Sequence, residues 1–268
     1  MKIAFIGCGN MGKAMISGLK NNRVNIPFKF TISVFDPLQE PLKIFAKKYG
    51  IEAVASNLEA VADADIVVLA VKPQSIDDVL PSLKGHIKNS ALLLSICAGV
   101  PINKIHNLSG HKSIVRAMPN IPAQIGQSNT VWTSSFISDE QSMWALNVLD
   151  SIGTSNFVNS EDVIDKATAI SGSGPAYVFY FTECLIKAAL ELGFDEEMAK
   201  ALTINTVAGA ASYAQNNELG LSKLRENVTS KGGTTEAALK VFYEQDVESI
   251  IIKAAKAAYC RAKELGAA

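Results

Sequence analysis

Short uninterrupted apolar runs alternate with stretches of helical periodicity over the first half of the chain. Lys2–Ile6, Thr31–Phe35, Ile66–Val71, Ala91–Ile96 and Ser113–Ala117 read as strands. Val67-Val68-Leu69-Ala70-Val71 has no polar alternation, which predicts a parallel strand buried on both faces. Met11–Lys20, Gln39–Tyr49, Ser75–Leu83 and Ile102–Leu108 carry helical spacing between the strands. Strand–helix alternation of this kind predicts an α/β unit with a doubly wound, mostly parallel sheet. Thr130–Thr133 and Asn156–Val158 add one or two further strands, with a helix over Asp139–Leu149 between them.

After about Asp162 the style changes and no strand pattern follows. Gly174-Pro175 opens a helix and Gly193 closes it; Asp195-Glu196-Glu197 starts another, rich in alanine and apolar on more than one face. Leu221–Asn227, Thr235–Tyr243 and Val247–Leu265 supply the rest. The expected organisation is a Rossmann-type domain over 1–161 and an all-α domain over 162–268. A helix apolar all round must be covered, yet a domain of about a hundred residues has little interior. Pairing with a second copy of the chain resolves that conflict and predicts a homodimer or higher homo-oligomer.

Bulk properties narrow the field. Hydrophobic residues make up 48% of the 268 and charged residues 19%, so part of the surface is expected to be covered. The 25 basic and 26 acidic residues leave a net charge of −1, which offers no footprint for nucleic acid or an anionic membrane. Cys8, Cys97, Cys184 and Cys260 are scattered, with no metal-ligand spacing, as expected of a reducing compartment without structural metal. The short apolar run after Lys2 leads into glycines rather than a cleavage site, and no run is long enough to span a bilayer. A soluble cytoplasmic protein is the expectation.

The chemistry begins where the first strand ends. Gly7-Cys8-Gly9-Asn10-Met11-Gly12 lies between strand and helix, the context a dinucleotide-binding turn requires. Gly7 permits the tight turn, Gly9 lets the backbone approach a pyrophosphate, and Gly12 lets helix and strand pack closely. Asn10 and Met11 place their N–H groups at the positive helix end. Asp36 closes the second strand 24 residues beyond Gly12, where an acid can bond the adenine-ribose hydroxyls. Asp36-Pro37 is equally an ordinary turn signal, and the two readings are compatible. NADH is therefore expected to serve at least as well as NADPH. Further contacts belong to loops at the carboxyl ends of strands: Val71-Lys72 after the fourth, Ala98 after the fifth, Asn120 after the sixth. Asn57, which with Ser56 also reads as a helix cap, joins them.

A second segment, Thr229-Ser230-Lys231-Gly232-Gly233-Thr234-Thr235-Glu236-Ala237, precedes a helix. Glu236 is placed to reach back over the first turn. A cap needs one hydroxyl, whereas Ser230, Thr234 and Thr235 supply three, which favours a nest for a small carboxylate. Ser171-Gly172-Ser173-Gly174-Pro175 joins the two parts, as a hinge or as the wall of a cleft. His86, His106 and His111 lack a carboxylate orienter and read as surface residues. Hydride addition to an imine needs little acid–base machinery, so their lack of a role excludes nothing.

FIGCGNMG, AVKP (Ala70–Pro73), RAMPN (Arg116–Asn120), SGSGPAYVF (Ser171–Phe179) and the run Val228–Ala238 together resemble pyrroline-5-carboxylate reductases along essentially the whole chain. Lys231 and Ile121 depart from that pattern, standing where proline and threonine are usual. The resemblance implies an oxidoreductase that reduces 1-pyrroline-5-carboxylate to L-proline with NADPH or NADH, in proline biosynthesis. It implies a helical dimerisation domain, dimers that can build rings, and a threonine loop completing the site over the partner's cofactor. Carried across by position, Gly233 and Thr234 hold the substrate carboxylate, the Thr235 hydroxyl bonds the ring nitrogen, and Glu218 lies beside it. Two rivals share the architecture. A β-hydroxyacid dehydrogenase needs a lysine one turn past the Gly-rich junction, where this chain has Val178 and no lysine before Lys187. A dinucleotide sensor without turnover would not need the hydroxyl-rich loop.

Overall fold

The computed structural model describes residues 1–21 and 26–267. They fall into two compact units, Met1–Ser173 together with Ala258–Ala268, and Gly174–Ala257. The first unit thus runs past the expected limit at 161 and takes in a segment from the far side of the second.

Eight strands form the sheet of the first unit: β1 (Lys2–Ile6), β2 (Thr31–Phe35), β3 (Glu52–Ala53), β4 (Ile66–Leu69), β5 (Leu92–Ser95), β6 (Ile114–Met118), β7 (Ser128–Ser135) and β8 (Gly153–Phe157). Their order is β3-β2-β1-β4-β5-β6-β7-β8. The first six run parallel; β7 is antiparallel to β6, and β8 is parallel to β7. Strand order reverses between β1 and β4, the place where open α/β sheets leave a crevice at the carboxyl ends. Helices α1 (Asn10–Lys20), α2 (Gln39–Tyr49), α3 (Asn57–Val61), α4 (Ile76–Ser82), α5 (Ile102–Ser109) and α6 (Asp139–Asp150) cover both faces. The period-2 geometry of β1 divides the core: Ile3 and Phe5 pack with α1, α2 and α6, while Ala4 and Ile6 pack with α3, α4 and α5. All four are fully buried, each large one stabilising the fold by about 1.5–3 kcal/mol.

Differences from the expected elements have local causes. β4 stops at Leu69 because its partner β1 ends at Ile6, where the chain turns across Ala70. β8 is an edge strand whose Thr154 and Asn156 are exposed, so its five residues carry little apolar signal. The helix expected over Ser75–Leu83 begins as a 3-10 turn, Pro73–Ser75. Helix α7 (Glu161–Ala167) and the π-helical turn Thr168–Gly172 were not expected at all.

The second unit is helical throughout: α8 (Gly174–Glu191), α9 (Glu196–Gln215), α10 (Leu221–Asn227), α11 (Thr234–Glu244) and most of α12 (Val247–Ala267). Asp195 caps α9 by accepting the Met198 N–H at 2.8 Å. Neither α8 nor α11 contains a buried residue. Phe179, Tyr180 and Phe181 on α8, and Ile250 and Ile251 on α12, are exposed. Apolar surface on this scale calls for a covering partner.

Candidate active site

At the end of β1 the backbone of Gly7 takes φ +96°, a conformation that side chains disfavour. A Cβ there would lie 2.7 Å from the Ala70 carbonyl oxygen, and one on Gly12 would lie 2.8 Å from the carbonyl oxygen of Gly7. These two glycines are demanded by packing. Gly9 is different: it is exposed, has φ −69°, and a Cβ on it would meet nothing within 4 Å. No side chain caps α1, and the N–H groups of Asn10, Met11 and Gly12 have no acceptor among the described residues. An open, uncapped helix N-terminus of this form suits an anion.

Asp36 is half-buried beside this turn. One carboxylate oxygen accepts the Cys8 N–H at 2.7 Å and the other the Leu38 N–H at 2.9 Å. The side chain therefore both forms the Asp-Pro turn and ties the glycine loop to β2. The loops after β1, β4 and β5 come together at one edge of the sheet. Gly7 abuts Ala70, and the Cys97 thiol lies 3.4 Å from the Val71 carbonyl oxygen. Lys72 is exposed there and forms no ion pair among the described residues, while Ala98 is half-buried. Asn57 opens α3, and its Oδ1 is buried without a hydrogen-bond partner. The neighbouring cap is Ser56, which accepts the Glu59 N–H at 3.1 Å. Asn120 is committed at both ends of its amide: Nδ2 donates to the Ser171 carbonyl at 3.0 Å and Oδ1 accepts the Asn129 N–H at 3.1 Å. Its side chain holds the loop after β6 against the π-helical turn.

The two buried thiols at this edge are inert. Burial pushes the Cys8 and Cys97 thiols up to about 11, so both stay protonated at neutral pH. His111 is not the surface residue expected: it is 7% exposed, its Nε2 lies 2.8 Å from the Ala91 carbonyl oxygen, and burial lowers its pKa. His106 is half-buried on α5, with Nδ1 2.8 Å from the His111 carbonyl oxygen, and only His86 is exposed.

In the second unit, Gly233 is the N-cap of α11 and no side chain caps the helix. The N–H groups of Thr234, Thr235 and Glu236 have no acceptor among the described residues. Glu236 reaches back as expected, its Oε2 accepting the Gly232 N–H at 2.7 Å. The preceding turn is tight: Gly233 N–H bonds the Ser230 carbonyl at 3.0 Å, and a Cβ on Gly233 would meet Ser230 Oγ at 2.4 Å. Thr235 is half-buried and Thr234 exposed. Glu218 is exposed in the loop between α9 and α10.

Residues 161–265 match the family model for the pyrroline-5-carboxylate reductase dimerisation domain, and residues 2–99 match that for the coenzyme F420-dependent NADP oxidoreductases. A Pseudomonas aeruginosa pyrroline-5-carboxylate reductase is 39% identical over 266 residues, covering 98% of this chain and 96% of the relative. The chain belongs to the pyrroline-5-carboxylate reductase family. Its structure is similar to that of a Coxiella burnetii pyrroline-5-carboxylate reductase, with TM-score 0.89, 39% identity and coverage of 98% and 97%. It is also similar to a Plasmodium falciparum pyrroline carboxylate reductase with NADP bound, with TM-score 0.88, 29% identity and coverage of 99% and 98%.

One constellation went unread in the sequence. Arg116, 3% exposed in the middle of β6, bonds Glu161 at 2.9 Å and also Asp165, both from α7. Glu161 accepts the Ile102 N–H at 2.9 Å as well. A lone arginine between Val115 and Ala117 in an apolar strand was the available signal, since a buried guanidinium needs carboxylate partners.

Proposed function

We propose that this chain reduces the imine 1-pyrroline-5-carboxylate to L-proline with NADPH or NADH, the last step of proline biosynthesis, as a cytoplasmic homodimer or higher homo-oligomer. The observation that carries the reading is the uncapped start of α11. Three N–H groups there have no acceptor among the described residues, Thr234 and Thr235 stand in the same first turn, and Glu236 holds the preceding turn in shape. Such a nest fits a small carboxylate.

The first unit fits a dinucleotide. The space in front of Gly9, the unpaired N–H groups of α1 and the orphaned Asn57 Oδ1 suit a phosphate and a hydroxyl donor respectively. Gly7, Gly9, Asn10, Met11 and Gly12 would hold the pyrophosphate, with Asp36, Asn57, Val71, Lys72, Ala98 and Asn120 around the rest. For Asn120 the main chain is the available contact, because its amide is already committed. Bound there, the dihydronicotinamide supplies the hydride.

The protein's own groups do the rest. Gly233 and Thr234 fix the carboxylate, which sets the ring plane. The Thr235 hydroxyl orients the ring nitrogen or hands it a proton, and Glu218 stands beside it. Positioning of hydride donor and imine provides most of the acceleration. Residues 1–161 bind the cofactor and 162–268 bind substrate and the second protomer, whose loop would complete the site in trans. The exposed apolar faces of α8 and α12 support that assembly. The near-neutral charge supports neither nucleic acid nor membrane as a partner, and no described helix is long and apolar enough to cross a membrane.

The test is to mix the protein with pyrroline-5-carboxylate and NADH or NADPH and follow loss of dihydronicotinamide absorbance. Failure to turn over with either cofactor refutes the reading. A carboxylate at Asp36 disfavours a 2′-phosphate, so kcat/KM with NADH should equal or exceed that with NADPH. A large NADPH preference would remove Asp36 from the ribose site.

A further inference from the structure

We infer that the last turns of α12 are a positioning clasp for the loop after β5, and through it for the dinucleotide; this rests on the reading that the loop contacts the cofactor. Ala258–Ala268 belongs to the cofactor unit although the residues before it belong to the helical one. Two points fasten it. The Tyr259 hydroxyl donates to the Asp162 carboxylate at the start of α7. Ala262 is 4% exposed while its neighbours Arg261 and Lys263 are exposed, so one face of the helix is pressed against the unit.

The decisive contact is glycine on glycine. Gly99 sits at φ +75°, and a Cβ on it would lie 2.8 Å from Leu265 Cβ. A Cβ on Gly266 would lie 2.7 Å from the Gly99 carbonyl oxygen. The Leu265 Cβ and the Gly266 backbone both bear directly on Gly99, so the last turns of the helix set the loop's position. On its other side the loop is stopped by the loop after β4, where the Cys97 thiol meets the Val71 carbonyl oxygen at 3.4 Å. Ala98 stands in the chain between Cys97 and Gly99, the two residues that make these contacts. Preorganisation of this sort improves binding without a new contact to the ligand. Gly99 and Gly266 are thus positioning residues, and the specificity they affect is for the nucleotide, not the imine.

The experiment measures the dissociation constant of NADH and of NADPH by fluorescence in wild type, Gly266→Ala and Tyr259→Phe, together with KM for both substrates. The added methyl of Gly266→Ala must push the loop by several tenths of an ångström. We expect the nucleotide dissociation constant and KM to rise about five- to twentyfold, with kcat and the imine KM within twofold. Tyr259→Phe, which adds no bulk, should shift the same two constants two- to threefold and serves alone if Gly266→Ala does not fold. Wild type that binds neither nucleotide overturns the functional reading itself. Wild type that binds while the folded variants bind equally well overturns the clasp, as does a parallel loss of affinity for nucleotide and imine.

Discussion

Substituting Gly9 separates architecture from ligand binding, because the three glycines of the turn face different surroundings. Alanine at Gly7 or Gly12 would drive a methyl to 2.7 or 2.8 Å from a backbone oxygen, so those changes damage the fold. Gly9→Ala meets nothing within 4 Å, and φ −69° is ordinary for alanine. Loss of glycine's freedom in the unfolded chain should leave stability unchanged or raise it by about 0.4–1 kcal/mol. The methyl instead occupies the approach to the unpaired N–H groups of α1. Displacing one charge-assisted hydrogen bond costs about 1.5–3 kcal/mol. That corresponds to roughly a ten- to 150-fold weaker dissociation constant for the dinucleotide. Calorimetry for the melting temperature and fluorescence titration for binding read the two quantities on one sample. Unchanged affinity would refute the assignment of this turn to the cofactor, and a melting temperature lowered by several degrees would refute the claim that Gly9 is free of packing duty.

Thr235→Ala should lower kcat/KM about ten- to a hundredfold, about 1.4–2.7 kcal/mol, with nucleotide affinity unchanged; steady-state kinetics with wild-type values would remove its hydroxyl from the reaction. Arg116→Ala leaves the two α7 carboxylates without their buried cation and should cost about 3–5 kcal/mol in urea unfolding, whereas a loss under 1 kcal/mol would mean that the pair is solvated. His111 has its pKa lowered by burial, so the unfolded chain binds the extra proton more readily. Its contribution is present above the ordinary histidine pKa and is lost as pH falls below it, so the melting temperature should drop below about pH 6.5, less steeply in His111→Gln. Cys8 and Cys97, protonated and buried, should stay unmodified by iodoacetamide at pH 7.5 in native protein, as mass spectrometry would show.

Continuous apolar runs were the most legible feature. Val67-Val68-Leu69 announces burial on both faces, and the sheet places all three with no exposure. The glycine turn was legible because Gly7 and Gly12 answer close backbone approaches that no other residue fits. Helix α7 was not, since Glu161-Asp162-Val163-Ile164-Asp165 is held by Arg116 from a distant strand rather than by periodicity of its own. The position of Asp36 could be read, but its bond to Cys8 depends on how β1 and β2 align. The burial of His111 likewise comes from its docking on Ala91, a contact across twenty residues that leaves no local pattern. Helical spacing also could not say which body the last turns of α12 would join.

The discontinuity of the first unit has a consequence for synthesis. A ribosome adding about 5–20 residues per second completes Ser173 well before the strip Ala258–Ala268 that seats against Gly99. For about 5–20 seconds, plus transit through the exit tunnel, the sheet and its glycine turn exist in the cell without the segment that backs the loop after β5. The nascent protein therefore gains the strip that backs the loop after β5 only after the rest of the first unit has been synthesised.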